Sequence, residues 1–305
     1  MEIIKLNGVK IKPNTVAAIG FFDGVHKAHR SLIDAAKTIA KKQDMHTAVI
    51  TFDVHPKSVL FDLDYHYITP LKKKLDIIET YGIDTLYLIE FDADKAKLTP
   101  DTFINYYLNG LHTLVCGFDF KFGTRGSGNV QTLYRHPTIK SVVVDELTHE
   151  GYKIGSTHIR DLIMSGQMHH IKPILGRYYS IEGNVQHGAS KGRGIGYPTA
   201  NIDTGDYLIP KKGVYASFTR YKDKWYPSMS TVGHNPTMNC QSDISVESYL
   251  FDFNETIYGE TIEIAFIKRL RDEQKFDSVE ALVEQIKTDE KETLTLLNNQ
   301  EFDLH

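Results

Sequence analysis

The sequence predicts two units in series: an α/β unit on a mainly parallel sheet, then an antiparallel β sandwich or small barrel with a terminal helix. Three observations carry this reading. Short apolar runs alternate with helical patterns through the first half, the signature of an α/β sheet. After about Tyr178 residue-by-residue alternation of polar and apolar side chains takes over, the pattern of antiparallel strands. At 305 residues the chain is also longer than one small core requires.

The elements follow in order. Apolar runs at residues 16–21, 48–52, 86–91, 111–116 and 142–144 predict strands. Leu32, Ile33, Ala36, Ile39 and Ala40 share one face of a helix between the first two, and Thr69-Pro70 reads as a cap followed by proline at the first helical position. A linking helix ends near Leu175-Gly176, and the domains are set at 1–170 and 171–305. Strands are then predicted over 178–187, 213–221, 225–232, 244–253 and 261–268, with turns at 222–224 and 233–236. Val279, Leu282, Val283 and Ile286 repeat at helical spacing and predict a closing amphipathic helix.

Composition excludes several classes. The 35 Lys and Arg against 39 Asp and Glu leave a net charge of −4, which gives no electrostatic footprint for nucleic acid. Two cysteines, Cys116 and Cys240, argue against a disulfide framework or a multi-cysteine zinc site and suit a reducing cytoplasm. No apolar stretch is long enough for a signal peptide or a membrane span, so no membrane partner is expected.

Five constellations carry chemistry. Gly20, Phe22, Asp23 and Gly24 lie between the first strand and the first helix, and His26 and His29 stand one turn apart where the helix opens. Unpaired backbone N–H groups and the positive end of the dipole suit a phosphate there, with imidazoles to stabilise developing charge. Ser156 and Thr157 read as caps of a helix whose first turn holds Arg160, a cation that a bound anion would reconcile with the dipole. Asp119, in a Gly-rich turn after a strand, suits a nucleotide contact. In the second half Gly188, Lys191, Arg193 and Gly196 form a glycine-rich basic loop suited to phosphates, and Thr199 and Asn201 offer neutral oxygens for Mg2+. Strand alternation puts Glu247 on a polar face with Ser245 and Tyr249, where a carboxylate can take a hydroxyl proton. Each pattern alone also fits an ordinary turn, cap or solvated side chain.

Together the segments GFFDGVHKAH, TFDVHP, ITPLKKK, GFDFKFG, GSTHIR, GRGIGYPTANI, GVYA, VGHNPT, VESYLFDFNETIYGE and LRDEQKFDS, in that order over nearly the whole chain, resemble the prokaryotic bifunctional riboflavin kinase/FAD synthetase family. The resemblance implies a Rossmann-like nucleotidyltransferase domain and a C-terminal riboflavin-kinase barrel. It implies ATP with Mg2+, and riboflavin, FMN, FAD and ADP as the other small-molecule partners. By it His26 and His29 face the ATP phosphates, Asp119 contacts the nucleotide, and Ser156, Thr157 and Arg160 form a second phosphate-binding motif. Thr199 and Asn201 hold Mg-ATP, Glu247 activates the ribityl hydroxyl and Arg271 lies near the flavin. Three positions depart from the family pattern: Ala28 replaces a glycine, Gly155 a serine, and Thr231 an asparagine. The first two predict slower adenylylation, leaving a riboflavin kinase whose N-terminal half adenylylates weakly or not at all as the alternative and a non-catalytic flavin sensor as a more distant one.

Overall fold

The computed structural model describes residues 1–187, 193–234 and 244–298. Contacts divide the chain into two compact units, Met1–Ser156 and Thr157–His305.

In the first unit six strands form one sheet: β1 (Glu2–Lys5), β2 (Thr15–Ile19), β3 (His46–Phe52), β4 (Thr85–Ile89), β5 (Thr113–Gly117) and β8 (Lys140–Val144). Their order is β1-β4-β3-β2-β5-β8 and every pairing is parallel. Two small hairpins, β6 (Lys121–Phe122) with β7 (Gly128–Asn129) and β9 (Thr148–His149) with β10 (Tyr152–Lys153), lie outside this sheet. A parallel sheet must be covered on both faces. Accordingly Val16 and Ala18 of β2 enter one apolar core while Ala17 and Ile19 enter another. The crossover helices are α1 (Lys27–Gln43), α2 (Pro56–Phe61), α3 (Leu71–Glu79), α4 (Pro100–Tyr107) and α5 (Val130–Tyr134). Helix α1 buries Leu32, Ile33, Ala36 and Ala40, the face its sequence predicts. Helix α3 is capped by Pro70, not Thr69, and without a side-chain cap bond. The Thr69 N–H instead donates to Asp23 at 3.1 Å, so that residue belongs to the loop contact and not to the helix start. The strand order reverses between β2 and β5, and ligands of such sheets bind outside the carboxyl ends of the strands at that point.

The second unit opens with α6 (Ser156–Ser165) and α7 (Lys172–Leu175) and continues as a closed barrel. Its strands are β11 (Tyr179–Gln186), β12 (Ala200–Ile202), β13 (Gly213–Tyr221), β14 (Lys224–His234), β15 (Ile244–Leu250) and β16 (Thr261–Arg271), in the order β11-β12-β15-β14-β13-β16. Pairing of β11 with both β12 and β16 closes the ring and leaves no sheet edge, which settles the sandwich-or-barrel alternative. The three-residue β12 is too short to register as an apolar alternation. Helix α8 (Val279–Asn298) covers the barrel, but its buried positions are Asp289, Thr293 and Leu297, while Val279 is 56% exposed. The stripe that predicted this helix is therefore only its half-covered start. A cut at 170/171 falls inside the second unit. Helix α6 buries Ile159, Leu162 and Ile163, and the Ile163 carbonyl accepts from the Lys211 N–H at 3.2 Å.

The barrel interior is not wholly apolar. Ser217, Thr219, Ser228, Ser230 and Ser248 are all fully buried and bond to one another at 2.7–3.1 Å. A hydroxyl both donates and accepts, so such a ring satisfies itself without water.

Candidate active sites

The loop from β2 to α1 is built on unusual backbone. Phe22, Gly24 and Val25 all have positive φ, at 60°, 86° and 43°. Glycine takes such angles freely, whereas a β-branched valine there is an outlier, and strain of this kind concentrates at functional loops. The surroundings hold the loop. The Thr51 hydroxyl donates to the Phe21 carbonyl at 3.0 Å, Asp23 accepts from the Thr69 N–H, and the Ser156 hydroxyl donates to the Asp23 carbonyl at 2.9 Å. The result aims α1 at the carboxyl end of the sheet with His26 as its N-cap. The His26 ring accepts from the His29 N–H at 3.3 Å and stacks on the His29 ring at 3.5 Å. Burial, then the neighbouring His26 and Lys74, hold the His29 pKa well below the usual histidine value, so His29 is neutral near pH 7. Its Nδ1 is buried with no hydrogen-bond partner among the described residues. Gly20, just after β2, lies against the Phe22 ring, which a Cβ would meet at 3.2 Å.

An aromatic cluster that sequence spacing did not reveal adjoins this loop. Phe21 packs edge-on against His55 at 4.5 Å, His55 stacks on Tyr65 at 4.2 Å, and Tyr67 closes the group 5.0 Å from Tyr65. Because Asp23 meets Tyr65 at 3.5 Å, the cluster and the loop share a wall. Across the strand-order reversal the turn after β5 carries Asp119, which is exposed and ion-paired with Lys153. Ser156 begins α6; the exposed Thr157 and the half-buried Arg160 follow in its first turns.

In the barrel, register does the assembly. Directly opposed residues of antiparallel strands point to the same face. Asn201 opposes Glu247, Glu247 opposes Thr231, Thr231 opposes Val214, and Val214 opposes Arg271. One row across five strands therefore carries four of the polar residues singled out in the sequence. Thr199, just before β12, donates its hydroxyl to the Glu247 carboxylate at 2.8 Å. Glu247 is half-exposed, between the buried Val246 and Ser248, as alternation requires. Asn201 is 6% exposed and its Oδ1 has no partner among the described residues. Arg271 is held by the buried Asp289 of α8 through contacts of 2.7–3.0 Å, a partner that no spacing rule ties to it.

Two cavities meet at Thr199. One of about 230 Å³ is lined by Glu247, Thr231, Tyr249, Arg271 and Phe276 as well as Thr199. The other, about 70 Å³, lies between Thr199, Ser248 and Tyr258. Gly196, with φ of 87°, turns the chain into Thr199. Gly188 and Lys191 lie outside the described residues, and Arg193 begins the short 3-10 turn Arg193–Ile195.

Comparison with known proteins decides the family. Residues 9–158 match the FAD synthetase family and residues 175–297 the riboflavin kinase family. A bifunctional riboflavin kinase/FMN adenylyltransferase of Listeria monocytogenes is 40% identical over 92% of this chain and 91% of its own length. Its Bacillus subtilis counterpart is 38% identical over 93% of each chain. The chain belongs to the bifunctional riboflavin kinase/FMN adenylyltransferase family. The Escherichia coli member is 31% identical over 90% of each chain. A crystal structure described as a macrolide-efflux protein of Streptococcus pneumoniae superposes with a TM-score of 0.87 at 32% identity over 96% of this chain and 99% of its own. Among the described residues no helix is long and apolar enough to cross a membrane.

Two of the three departures from the family pattern meet no backbone or steric constraint in this structure. Ala28 lies in the first turn of α1 and is not among the positive-φ residues, so the wider φ range of glycine is not required there. A Cβ on Gly155 would meet only Lys153 Cε, at 4.0 Å, so a serine would also fit. Thr231 stands beside Glu247 in the cross-strand row.

Proposed function

We propose that this chain makes FAD in two steps, each in its own unit: riboflavin and ATP give FMN and ADP at the barrel, then FMN and ATP give FAD and pyrophosphate at the parallel sheet. The observation that carries the reading is the meeting of two cavities at Thr199, with Glu247 facing one of them. A phosphotransferase needs its acceptor and its nucleotide on either side of one transfer point. The larger cavity, aromatic at Tyr249 and Phe276 and facing Glu247, is assigned to the flavin ring, and the smaller, on the other side of Thr199, to the nucleotide.

In the kinase step the Glu247 carboxylate takes the proton of the ribityl hydroxyl as its oxygen bonds to the γ-phosphorus and ADP leaves. Thr199 fixes that carboxylate in place. Two neutral oxygens, the unpartnered buried Asn201 Oδ1 and the Thr199 hydroxyl, are the hard donors that Mg2+ prefers and fit its role here. Held by these two residues, it would neutralise charge on ATP. Arg271, oriented by Asp289, brings a fixed cation to the flavin side of the cavity.

In the adenylylation step a phosphate oxygen of FMN attacks the α-phosphorus of ATP and pyrophosphate departs. The positive end of the α1 dipole, with His26 and His29, stabilises the polyphosphate as charge builds on the leaving group. The Ser156 hydroxyl, bonded to the Asp23 carbonyl, holds the loop side of this site. The Phe21, His55, Tyr65 and Tyr67 rings offer a stacking surface for the FMN ring. Two labelled half-reactions test this. Label from γ-labelled ATP should enter FMN when riboflavin is supplied, and label from α-labelled ATP should enter FAD when FMN is supplied. Failure of either transfer removes that half of the proposal.

A further inference from the structure

Lys74 of α3 is 1% exposed, yet it is a cation. Its three N–H groups donate to three neutral oxygens: the Phe21 carbonyl at 3.1 Å, the Thr51 hydroxyl at 3.4 Å and the Phe52 carbonyl at 2.8 Å. It also lies 4.3 Å from the centre of the Phe21 ring. These partners are the points where β2 and β3 hand over to their loops. Phe21 directly precedes Phe22, the first of the positive-φ residues before His26. A buried ammonium is costly without a compensating partner, and a methionine would fill the same space without that cost. The charge therefore calls for a use beyond packing.

We propose that Lys74 is a positioning residue for adenylylation: its ammonium ties the loop before His26 to the ends of β2 and β3 and sets a fixed positive charge beneath the bound polyphosphate. The inference rests on the two-step function above and assigns Lys74 no contact with substrate. The ionisable groups around it are Asp23 in the loop, Asp53 after β3, and His29 on α1, itself stacked on His26; Tyr65 reaches Asp23. Burial pulls the Lys74 pKa down to about 8, against the opposing pull of Asp23 and Asp53. The charge is thus present at neutral pH and lost as pH rises through that value.

The test compares two rates in one preparation of the full chain: FAD formed from FMN, and FMN formed from riboflavin. For K74M the ratio of the first to the second should fall by about 10- to 100-fold, the scale expected when a site loosens by roughly an ångström. The loss should lie in kcat, with KM for ATP nearly unchanged, and K74R should recover part of it. In the wild-type chain the same ratio should decline as pH rises through about 8, and this decline should be missing in K74R, whose charge persists. A K74M ratio within about twofold of wild type overturns the proposal. So does a wild-type ratio that stays flat across that range, and this measurement stands even if K74M does not fold. A wild-type chain that makes no FAD from FMN would instead refute the two-step function, so the two failures are distinguishable.

Discussion

Replacing Glu247 with glutamine separates chemistry from architecture. Glutamine has the same shape and keeps one carbonyl oxygen for the Thr199 hydroxyl, 2.8 Å away in the wild type. That bond changes from a charge-assisted one, worth about 1.5–3 kcal/mol, to a neutral one of about 0.5–1.5 kcal/mol. Stability should then fall by only about 1 kcal/mol, because Glu247 is half-exposed and solvent compensates part of the change. The rate is another matter. An amide cannot accept the ribityl proton, and loss of a general base typically costs about 10²–10⁴-fold, or roughly 2.7–5.4 kcal/mol of barrier. FMN formation from riboflavin and Mg-ATP should fall by that factor while FAD formation from supplied FMN stays near wild type. FMN formation within a few-fold of wild type would refute the assignment of Glu247 as the base.

Four further outcomes follow from the geometry. Asn201→Ala removes the unpartnered buried Oδ1 and should raise KM for Mg-ATP roughly tenfold or more in the kinase assay alone, about 1.4 kcal/mol of lost contact; an equal loss of FAD synthesis from FMN would contradict two separate sites. A fragment starting at Thr157 should fold and make FMN, whereas one starting at Ile171 discards the buried Ile159, Leu162 and Ile163, each worth roughly 1.5–3 kcal/mol, and should melt at lower temperature; equal melting temperatures would show that α6 adds nothing to the barrel unit. Ala28→Gly should lower thermal stability by about 0.5–1 kcal/mol without raising FAD synthesis, since position 28 is helical; a clear gain in rate would instead support the expectation that this departure slows adenylylation. His29 is held well below its usual pKa, so as pH falls from about 6.5 the unfolded chain takes up a proton that the folded chain does not, and stability drops with pH in that window. The melting temperature of His29→Gln should fall less than that of wild type between pH 7 and 5.5; identical slopes would mean that His29 titrates normally.

Periodicity made the architecture legible. The buried strands of the first unit are continuous apolar runs because both faces of a parallel sheet are covered, and α1 shows its stripe because one face meets that sheet. The barrel strands were visible, but the closing strand β12 was not, since three residues carry no period. Helix α8 was found from a stripe that is only half covered, while its buried face holds Asp289 and Thr293, which read as polar.

The sites were legible only in pieces. His26 and His29 could be placed at a helix start because their spacing of three puts both in the first turn. Nothing local reveals that Val25 takes a positive φ, since valine is the wrong residue for it. Lys74 sits among Lys72 and Lys73 and looks like part of a solvated run; only the fold turns it inward. The row from Asn201 through Glu247 and Thr231 to Arg271 depends on strand register, which long-range pairing sets. Asp289, distant in sequence and borne on a helix, is joined to that row only by packing.

The most direct test of two consecutive reactions in one chain is a time course from riboflavin, ATP and Mg2+ with all products resolved. The account predicts FMN and ADP first, then FAD and pyrophosphate after a lag, with one ADP for each FMN formed and one pyrophosphate for each FAD. FMN that accumulates without FAD, or no conversion of riboflavin at all, would contradict it.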